Sequence, residues 1–367
     1  MNPGTPITQA AEFAPKPSRK ARNLKFIGIF LTICGIGLFA YLVYSVGIAE
    51  IAGNIGRFGI LGFLVILSIY AVRVCLRAAT WKLSVYEPYR LKMRDTIPAV
   101  MIGEAMSSTI PLGIVVSGTA KAVAVRRKVP LVVGLSSVAT ENLFYSFTTT
   151  VFLISGAFVF ARWFAPDPNT VLLIDILIGL MIGTLVFLAL LIIRQWHFAS
   201  EFCEWLYRRG LLTSILDTGR VQVRLFENLI YGFYRRHPDR FIPIVLMEIA
   251  FHFLGIVEVW FILTRIAEPA SHMVNAFLLE SVSRLITIVF KLVPFLIGVD
   301  EAGAQFVGEA VGIGAAIAVT LAIIRKGRIL FWSALGWLLI VNRGLGIRRI
   351  FHGRSSLGTH TNIGQDR

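Results

Sequence analysis

Long apolar runs with few or no charged residues are the feature that most limits what this chain can fold into. Residues 26–46 and 171–193 each reach the roughly 20 residues that a helix needs to cross a bilayer. Charged residues make up 16% of the sequence, against about 25% in soluble proteins. We therefore predict an all-α polytopic membrane protein with about six spans, at 24–46, 58–76, 130–160, 171–193, 241–264 and 314–342.

The positive charge of the chain is concentrated in five segments, 16–25, 73–94, 121–128, 194–240 and 343–367. Together they hold 28 of the 36 Lys and Arg residues. Because cytosolic loops of membrane proteins carry an excess of Lys and Arg, we place these segments and both termini in the cytosol. A basic membrane face next to anionic lipid explains the net charge of +15, and no nucleic-acid partner is predicted.

This placement gives two basic tails and one membrane domain. Residues 1–23 form a disordered cytosolic tail, 24–345 the integral-membrane domain and 346–367 a second cytosolic tail. Within the domain, 194–240 has apolar and basic residues at helical spacing, which predicts helices that lie along the cytosolic membrane surface. We expect this organisation in the inner membrane of a bacterium.

The stretch "SSTIPLGIVVSGTAK" at 107–121 interrupts an apolar segment. Pro111 divides 96–125 into two arms of about 14 residues, each roughly 21 Å long as a helix and too short to cross a core of about 30 Å. Basic residues flank both ends of the segment. We therefore predict a re-entrant hairpin that enters from the cytosol, with Pro111, Gly113 and Gly118 as backbone breaks in a protein-lined cavity.

A second interruption, "KLVPFLIGVDEAG" at 291–303, has Pro294 and Gly298 as candidate breaks. Two topologies are open. In the one that we favour, 273–313 is a hairpin that enters from outside and 314–342 is one long span. In the other, 273–293 crosses the membrane and "RKGR" at 325–328 is an external loop, against the positive-inside rule.

The spacing of charges after the two breaks favours the first topology. Pro111 precedes Glu141 by 30 residues, and Pro294 precedes Arg325 by 31. The layout then contains two broken helices that enter from opposite sides of the membrane, and each is followed by a span with one buried charge. This layout predicts inverted repeats of the kind found in transporters. We predict that Glu141 and Arg325 are partners across the repeat interface.

Ionisable residues inside membrane spans are costly unless they are paired or hydrated, so each is a candidate functional residue. Glu104 and Lys121 flank the first hairpin, and they either contact a lipid headgroup or pair with each other. Asp300 and Glu301 begin a helix, where capping alone explains one of them. The candidate headgroup-binding residues are Glu104, Lys121, Glu141, Arg284, Glu301 and Arg325.

Two further pairs have the i,i+4 spacing that places side chains on one helix face. Glu248 and His252 form either a proton relay or a local pair with a packed histidine. Glu280 and Arg284 form either a structural ion pair or part of a hydrated face.

The sequence has no motif for ATP binding, zinc-dependent hydrolysis or Ser-His-Asp catalysis. We therefore predict no cofactor, no metal site and no enzymatic activity.

Three stretches resemble the flippase-like membrane domain family, known from the membrane half of lysylphosphatidylglycerol synthase. They are "GEAMSSTIPLGIVVSGTAKAVAV" (103–125), "PFLIGVDEAG" (294–303) and "AIIRKGR" (322–328). The chain departs from the family pattern in keeping Glu141 without a neighbouring arginine, and in having Pro294 to Gly298 where the family tends to have a proline–diglycine turn. The resemblance implies a transporter of amphipathic lipids, with hopanoid or other isoprenoid-lipid pathways among the associations of its relatives.

These observations predict a lipid transporter that passes a headgroup through a polar cavity between two hairpins. A membrane-embedded lipid-modifying transferase and a scaffold for lipid-biosynthesis enzymes are the alternatives. Membrane lipids are the expected partners, with lipid-biosynthesis enzymes as possible further ones.

Overall fold

The computed structural model describes residues 19–110, 113–164, 167–195, 198–209, 213–267, 273–291 and 293–342. This part of the chain is helical throughout, with no strand, which confirms the predicted all-α class. The long helices are α1 (Arg19–Val46), α2 (Ile48–Leu83), α3 (Met93–Thr109), α4 (Gly113–Ala124), α5 (Leu131–Trp163), α6 (Pro168–Ile193), α7 (Phe198–Arg208), α8 (Thr213–Arg236), α9 (Phe241–Ile266), α10 (Met273–Val289), α11 (Val299–Ala310) and α12 (Ala315–Asn342).

Four segments are long and apolar enough to cross a membrane, by length and composition. They are Ile48–Leu83, Leu131–Trp163, Pro168–Leu190 and Pro238–Ile266. The apolar stretch Thr32–Val46 of α1 is shorter. α12 has 28 residues but carries three cations near its middle. Four of the six predicted spans are therefore established on these criteria.

Helix α6 shows why the protein needs a lipid environment. Its first turn is capped by Asp167, which accepts hydrogen bonds from the backbone N (3.1 Å) and Oγ1 (2.6 Å) of Thr170. These bonds lower the pKa of the exposed Asp167 carboxyl. Beyond the cap the helix is almost wholly apolar and none of its spanning window is buried in the protein. Such a surface is stable against lipid tails rather than water.

Helix α2 is longer than the sequence predicts. It is kinked at Gly59, where φ is +65°, and then runs on to Leu83. Arg73 therefore lies inside this helix and is fully buried, and Arg77 follows one turn later. The predicted end of the second span at 76 is wrong, because buried ion pairs allow the helix to continue through its basic residues to Leu83.

The first predicted break lies between two helices that pack on each other. α3 ends at Thr109, Ile110 is extended, and α4 begins at Gly113; Pro111 lies outside the described residues. The two helices approach closely where Gly103 faces the Lys121 side chain. Gly118 is not a break: it lies within α4, and a Cβ there would meet Val138 of α5 at 3.4 Å.

The second predicted break separates α10 from α11. A 3₁₀ turn spans Pro294–Leu296, and Gly298 precedes α11 with a φ of +83°, a conformation that glycine adopts without strain. Glu301 Oε2 accepts a hydrogen bond of 2.8 Å from the Gly298 backbone N. Pro294 and Gly298 therefore lie where the backbone leaves the helix.

The segment "RKGR" at 325–328 is helical and mostly buried. It lies in the middle of α12, which is continuous from Ala315 to Asn342. This excludes the topology in which these residues form a loop, and it agrees with the favoured one in having a single long final helix.

Helices α7 and α8 occupy the predicted 194–240 region and pack against each other. Arg240, at the start of α9, donates to the carbonyl oxygens of Leu83 and Val85 at 3.3 Å and contacts Glu87. These bonds fix the α8–α9 connection to the end of α2. The two predicted tails lie largely outside the described residues, which begin at 19 and end at 342. The predicted end of the first tail at 23 is wrong, because 19–23 already belong to α1.

The core is held by close helix contacts at glycine. Gly336 of α12 packs against α3, where an added Cβ would lie 2.5 Å from both the Met101 carbonyl oxygen and the Ala105 Cβ. Backbone cannot move away as a flexible side chain can, so this position excludes any larger residue.

We expect Gly336→Leu to destabilise the protein by about 1–3 kcal/mol, the usual cost of overpacking. The matched control is Gly179→Leu on the lipid-facing α6, where an added Cβ meets nothing within 4 Å. Thermal unfolding in detergent measures both. Equal melting temperatures would contradict the α3–α12 packing.

Candidate functional site

Two arginines one turn apart on α2 each centre a group of buried charges. We define the Arg73 cluster as Arg73, Glu258, Glu280, Arg284, Arg325 and Arg328, and the Arg77 cluster as Arg77, Lys121, Glu141 and Glu248. Five helices besides α2 contribute side chains to one or both clusters: α4, α5, α9, α10 and α12.

In the Arg73 cluster, two glutamates share four arginines. Glu280 Oε1 accepts from Arg284 Nη2 (2.6 Å) and Nε (2.8 Å), and its Oε2 accepts from Arg325 Nη2 (2.6 Å). Arg73 reaches the same carboxylate through Nη2 at 3.5 Å and donates through Nη1 to Glu258 (3.1 Å). Arg328 Nε lies 3.0 Å from Glu258 Oε1. All six side chains are at most 14% exposed.

This cluster has more positive than negative charge. Four guanidinium groups face two carboxylates, and an arginine cannot lose its proton in a protein. Arg73 Nε and Arg328 Nη1 are buried and have no hydrogen-bond partner among the described residues. A third carboxylate, that of Glu104, is linked to this excess positive charge through Tyr70. The Tyr70 ring lies 4.1 Å from the Arg328 guanidinium carbon, and its hydroxyl donates to Glu104 (2.6 Å).

Phe251 of α9 joins the two clusters. Its ring lies 4.3 Å from the Arg73 guanidinium carbon, 5.4 Å from that of Arg284 and 5.6 Å from that of Arg77. An aromatic face attracts cations without neutralising them. Phe251 therefore holds three guanidinium groups together while leaving their charge available.

In the Arg77 cluster, Glu141 of α5 receives two cations. Its Oε1 accepts from Arg77 Nη2 (2.5 Å) and its Oε2 from Lys121 Nζ (3.3 Å). The Arg77 guanidinium also lies 4.4 Å from the Tyr145 ring. Glu141 thus links α2, α4 and α5.

Glu248 and His252 lie one turn apart on α9 and are both buried. Neither oxygen of Glu248 has a hydrogen-bond partner among the described residues, and the same holds for His252 Nδ1. His252 Nε2 contacts the Thr149 hydroxyl at 3.2 Å. The two residues share a face, as their spacing predicts, but they are not bonded to each other.

Glu301 stabilises the second helix break. Its Oε1 pairs with Lys326 Nζ of α12 at 2.6 Å, and Lys326 also donates to the Leu296 carbonyl oxygen at 3.2 Å. This side chain therefore lies apart from the arginines and fastens the α10–α11 connection to α12.

The predicted Glu141–Arg325 pair is not formed. Glu141 is held by Arg77 and Lys121, and Arg325 by Glu280, because these partners are closer on the packed helices. A Glu104–Lys121 pair is likewise absent, since Glu104 accepts from Tyr70 and Lys121 turns to Glu141.

Sequence reasoning missed several members of the site. It assigned Arg73 and Arg77 to the cytosolic charge, and it singled out neither Lys326 nor Arg328 within "RKGR". The i,i+4 spacing of Arg73 and Arg77 directly after the apolar run 60–72 was the available signal. Among the described residues no group of three or more His, Cys, Asp or Glu side chains is placed to hold a metal ion.

A family model described as lysylphosphatidylglycerol synthase TM region matches residues 25–336. The protein belongs to this family. The match extends from α1 into α12 and includes every member of both charge clusters. It is thus a multi-pass integral membrane protein of the flippase-like type. Neither a curated protein nor a solved structure matches the chain.

Because removing one partner of a buried ion pair leaves a buried unpaired charge, we expect Glu280→Gln to cost about 3–5 kcal/mol. Combining it with Arg325→Gln should recover about 0.5–3 kcal/mol relative to the sum of the two single changes. Melting temperatures of the purified variants measure this coupling.

The control is the pair Glu141→Gln and Arg325→Gln, which share no contact. Their effects should add within about 0.5 kcal/mol. Additive behaviour of the Glu280–Arg325 pair would mean that these two side chains do not meet.

Proposed function

We propose that this protein moves an amphipathic lipid with an anionic headgroup across the membrane, and that the Arg73 cluster binds the headgroup. Membership of the flippase-like family supports the transport of lipids. The observation that carries the proposal is the excess of guanidinium charge buried among α2, α9, α10 and α12.

The charge balance favours a singly negative ligand. Three carboxylates contact the four arginines of the Arg73 cluster directly or through Tyr70, namely Glu258, Glu280 and Glu104, so one positive charge remains among the groups in contact. A phosphodiester carries one negative charge and offers several acceptor oxygens. Its geometry suits the unpartnered donors Arg73 Nε and Arg328 Nη1, since guanidinium groups bind phosphate through directed hydrogen bonds.

Arg77 and Arg284 suit the entry to such a site. Their side chains are 12% and 14% exposed, whereas that of Arg73 is fully buried. Both lie beside Phe251. A headgroup would meet these two cations first and reach the buried arginines next, while its hydrocarbon tail stays in the bilayer.

We propose that the two helix breaks are opposed re-entrant hairpins in an inverted repeat. The helix lengths support this, because α3 and α10 have 17 residues each, and α4 and α11 have 12 each. Each pair is followed by a long helix with buried charge, α5 or α12. We place the protein in the inner membrane of a bacterium with both termini in the cytosol.

Reconstitution into liposomes tests the proposed function. We expect the wild-type protein to exchange a fluorescent phosphatidylglycerol between leaflets, as measured by dithionite quenching, and Arg328→Gln to slow this exchange about tenfold or more. Arg162→Gln, which removes an exposed arginine paired with Asp175, is the matched control and should exchange normally.

The choice of labelled lipids separates the alternatives. Phosphatidylcholine should exchange slowly, because its headgroup has no net charge, and a labelled isoprenoid phosphate tests whether the tail matters. No exchange of any anionic lipid would refute transport. Conversion of a lipid to a species of different chromatographic mobility would indicate a transferase.

Cysteine labelling tests the first hairpin. In a cysteine-free background, single cysteines at Arg94 and Lys128, both exposed beside the helix pair, should both react with an impermeant reagent from the cytosolic side. Reaction of the Lys128 site only from the opposite side would show that α3 and α4 together cross the membrane.

A further inference from the structure

Glu248 differs from the other buried acids of the protein. It is 1% exposed, and neither of its oxygens has a hydrogen-bond partner or a cation within 4 Å among the described residues. Every other buried acid in the described helix bundle has such a partner. The cations or donors are Arg77 for Glu141, the Ser200 backbone N for Glu227, Arg328 for Glu258, Arg284 for Glu280, Lys326 for Glu301 and Ser283 for Asp300.

The groups that face Glu248 already have partners of their own. On α2, Arg77 pairs with Glu141, and the Thr80 hydroxyl donates to the Arg77 carbonyl oxygen at 3.0 Å. Lys121 of α4 also pairs with Glu141. An ionised carboxylate buried without its own partner is costly, whereas the protonated form carries no net charge. This environment therefore suits a carboxyl group that gains and loses a proton.

His252 lies one turn away on the same face of α9 and is oriented by α5. Its ring stacks between Tyr145 (5.8 Å) and Phe152 (4.9 Å), and its Nε2 contacts Thr149. With Nε2–H as the donor to that hydroxyl, the unpartnered Nδ1 holds a lone pair that can accept a proton.

The charges around His252 come from two further helices. Arg284 and Glu280 face it from α10, and Arg73 and Arg77 face it from α2. The charge of His252 therefore interacts with members of both the Arg73 cluster and the Arg77 cluster.

We propose that Glu248 binds and releases a proton that crosses the membrane together with the anionic headgroup, with His252 as the exchange partner. In this step the Nδ1–H bond of a protonated His252 breaks and an O–H bond forms on a Glu248 carboxylate oxygen, which leaves a neutral imidazole and a neutral carboxyl. The reverse step returns the proton to the Nδ1 lone pair. Water on the two sides of the membrane supplies and receives the proton. This inference rests on the proposed function.

The coupling follows from the charge of the Arg77 cluster. With Glu248 ionised, Arg77 and Lys121 are balanced by Glu141 and Glu248. With Glu248 protonated, one positive charge remains, and an anion is attracted. Because linkage is reciprocal, proton binding and headgroup binding strengthen each other. A proton and a monoanionic lipid then move together without net charge.

Infrared spectroscopy tests the proton site without any need for transport. We expect pH-difference spectra of the reconstituted protein to contain a protonated-carboxyl band that is absent from Glu248→Gln. Glu50→Gln removes an exposed acid near the start of α2 and should retain the band. An unchanged band in Glu248→Gln would overturn the proposal.

A pH gradient tests the coupling. Labelled phosphatidylglycerol should accumulate in the leaflet that faces the alkaline compartment, by up to about tenfold per pH unit for one proton per lipid. Glu248→Gln should abolish this accumulation. If wild-type exchange does not depend on the pH gradient, the proposed coupling is wrong, whereas the proposed lipid transport is still supported. If the infrared band is present but no lipid is exchanged, the proton site is supported, and both the proposed function and the coupling are refuted.

Discussion

The carboxylate of Glu280 is the interaction on which the rest of the site depends. It receives Arg284 of its own helix, Arg325 of α12 and Arg73 of α2, and so joins three helices at one point. The fourth helix, α9, comes close because residue 255 is glycine: a Cβ there would collide with the Glu280 side chain. A buried carboxylate with several guanidinium partners is stable at a depth where an unpaired charge is not.

Under the proposed function, the same arrangement prepares the protein to bind an anion. A bundle built only for stability would match each buried cation with an acid, and the Lys326–Glu301 pair at the second helix break does so. The Arg73 cluster instead keeps an excess of guanidinium groups, holds three arginines around the Phe251 ring and leaves donors unpartnered within the described structure. Ionisable groups held at such cost in a membrane are candidates for a role in function.

The sequence predicted what depends on local backbone rules. The second helix break at Pro294 and Gly298 and the continuity of α12 followed from chain length, proline and glycine. The choice of ion-pair partners did not follow, because it depends on which helices pack together. The positive-inside rule assigns Arg73 and Arg77 to the cytosol, which hides one partner of Glu141 and one of Glu280. The sequence also pairs Lys121 with Glu104 and Glu280 with Arg284, so it does not reveal that Lys121 contacts Glu141 and that Glu280 contacts Arg325.

The most direct test of the central claim is a structure of the protein determined in nanodiscs that contain phosphatidylglycerol. The account predicts phosphate density within hydrogen-bond distance of Arg73 Nε and Arg328 Nη1, with the Glu280 ion pairs retained. The account would be contradicted if lipid density is confined to the outer apolar surface and other residues of the protein accept hydrogen bonds from both of these arginine nitrogen atoms.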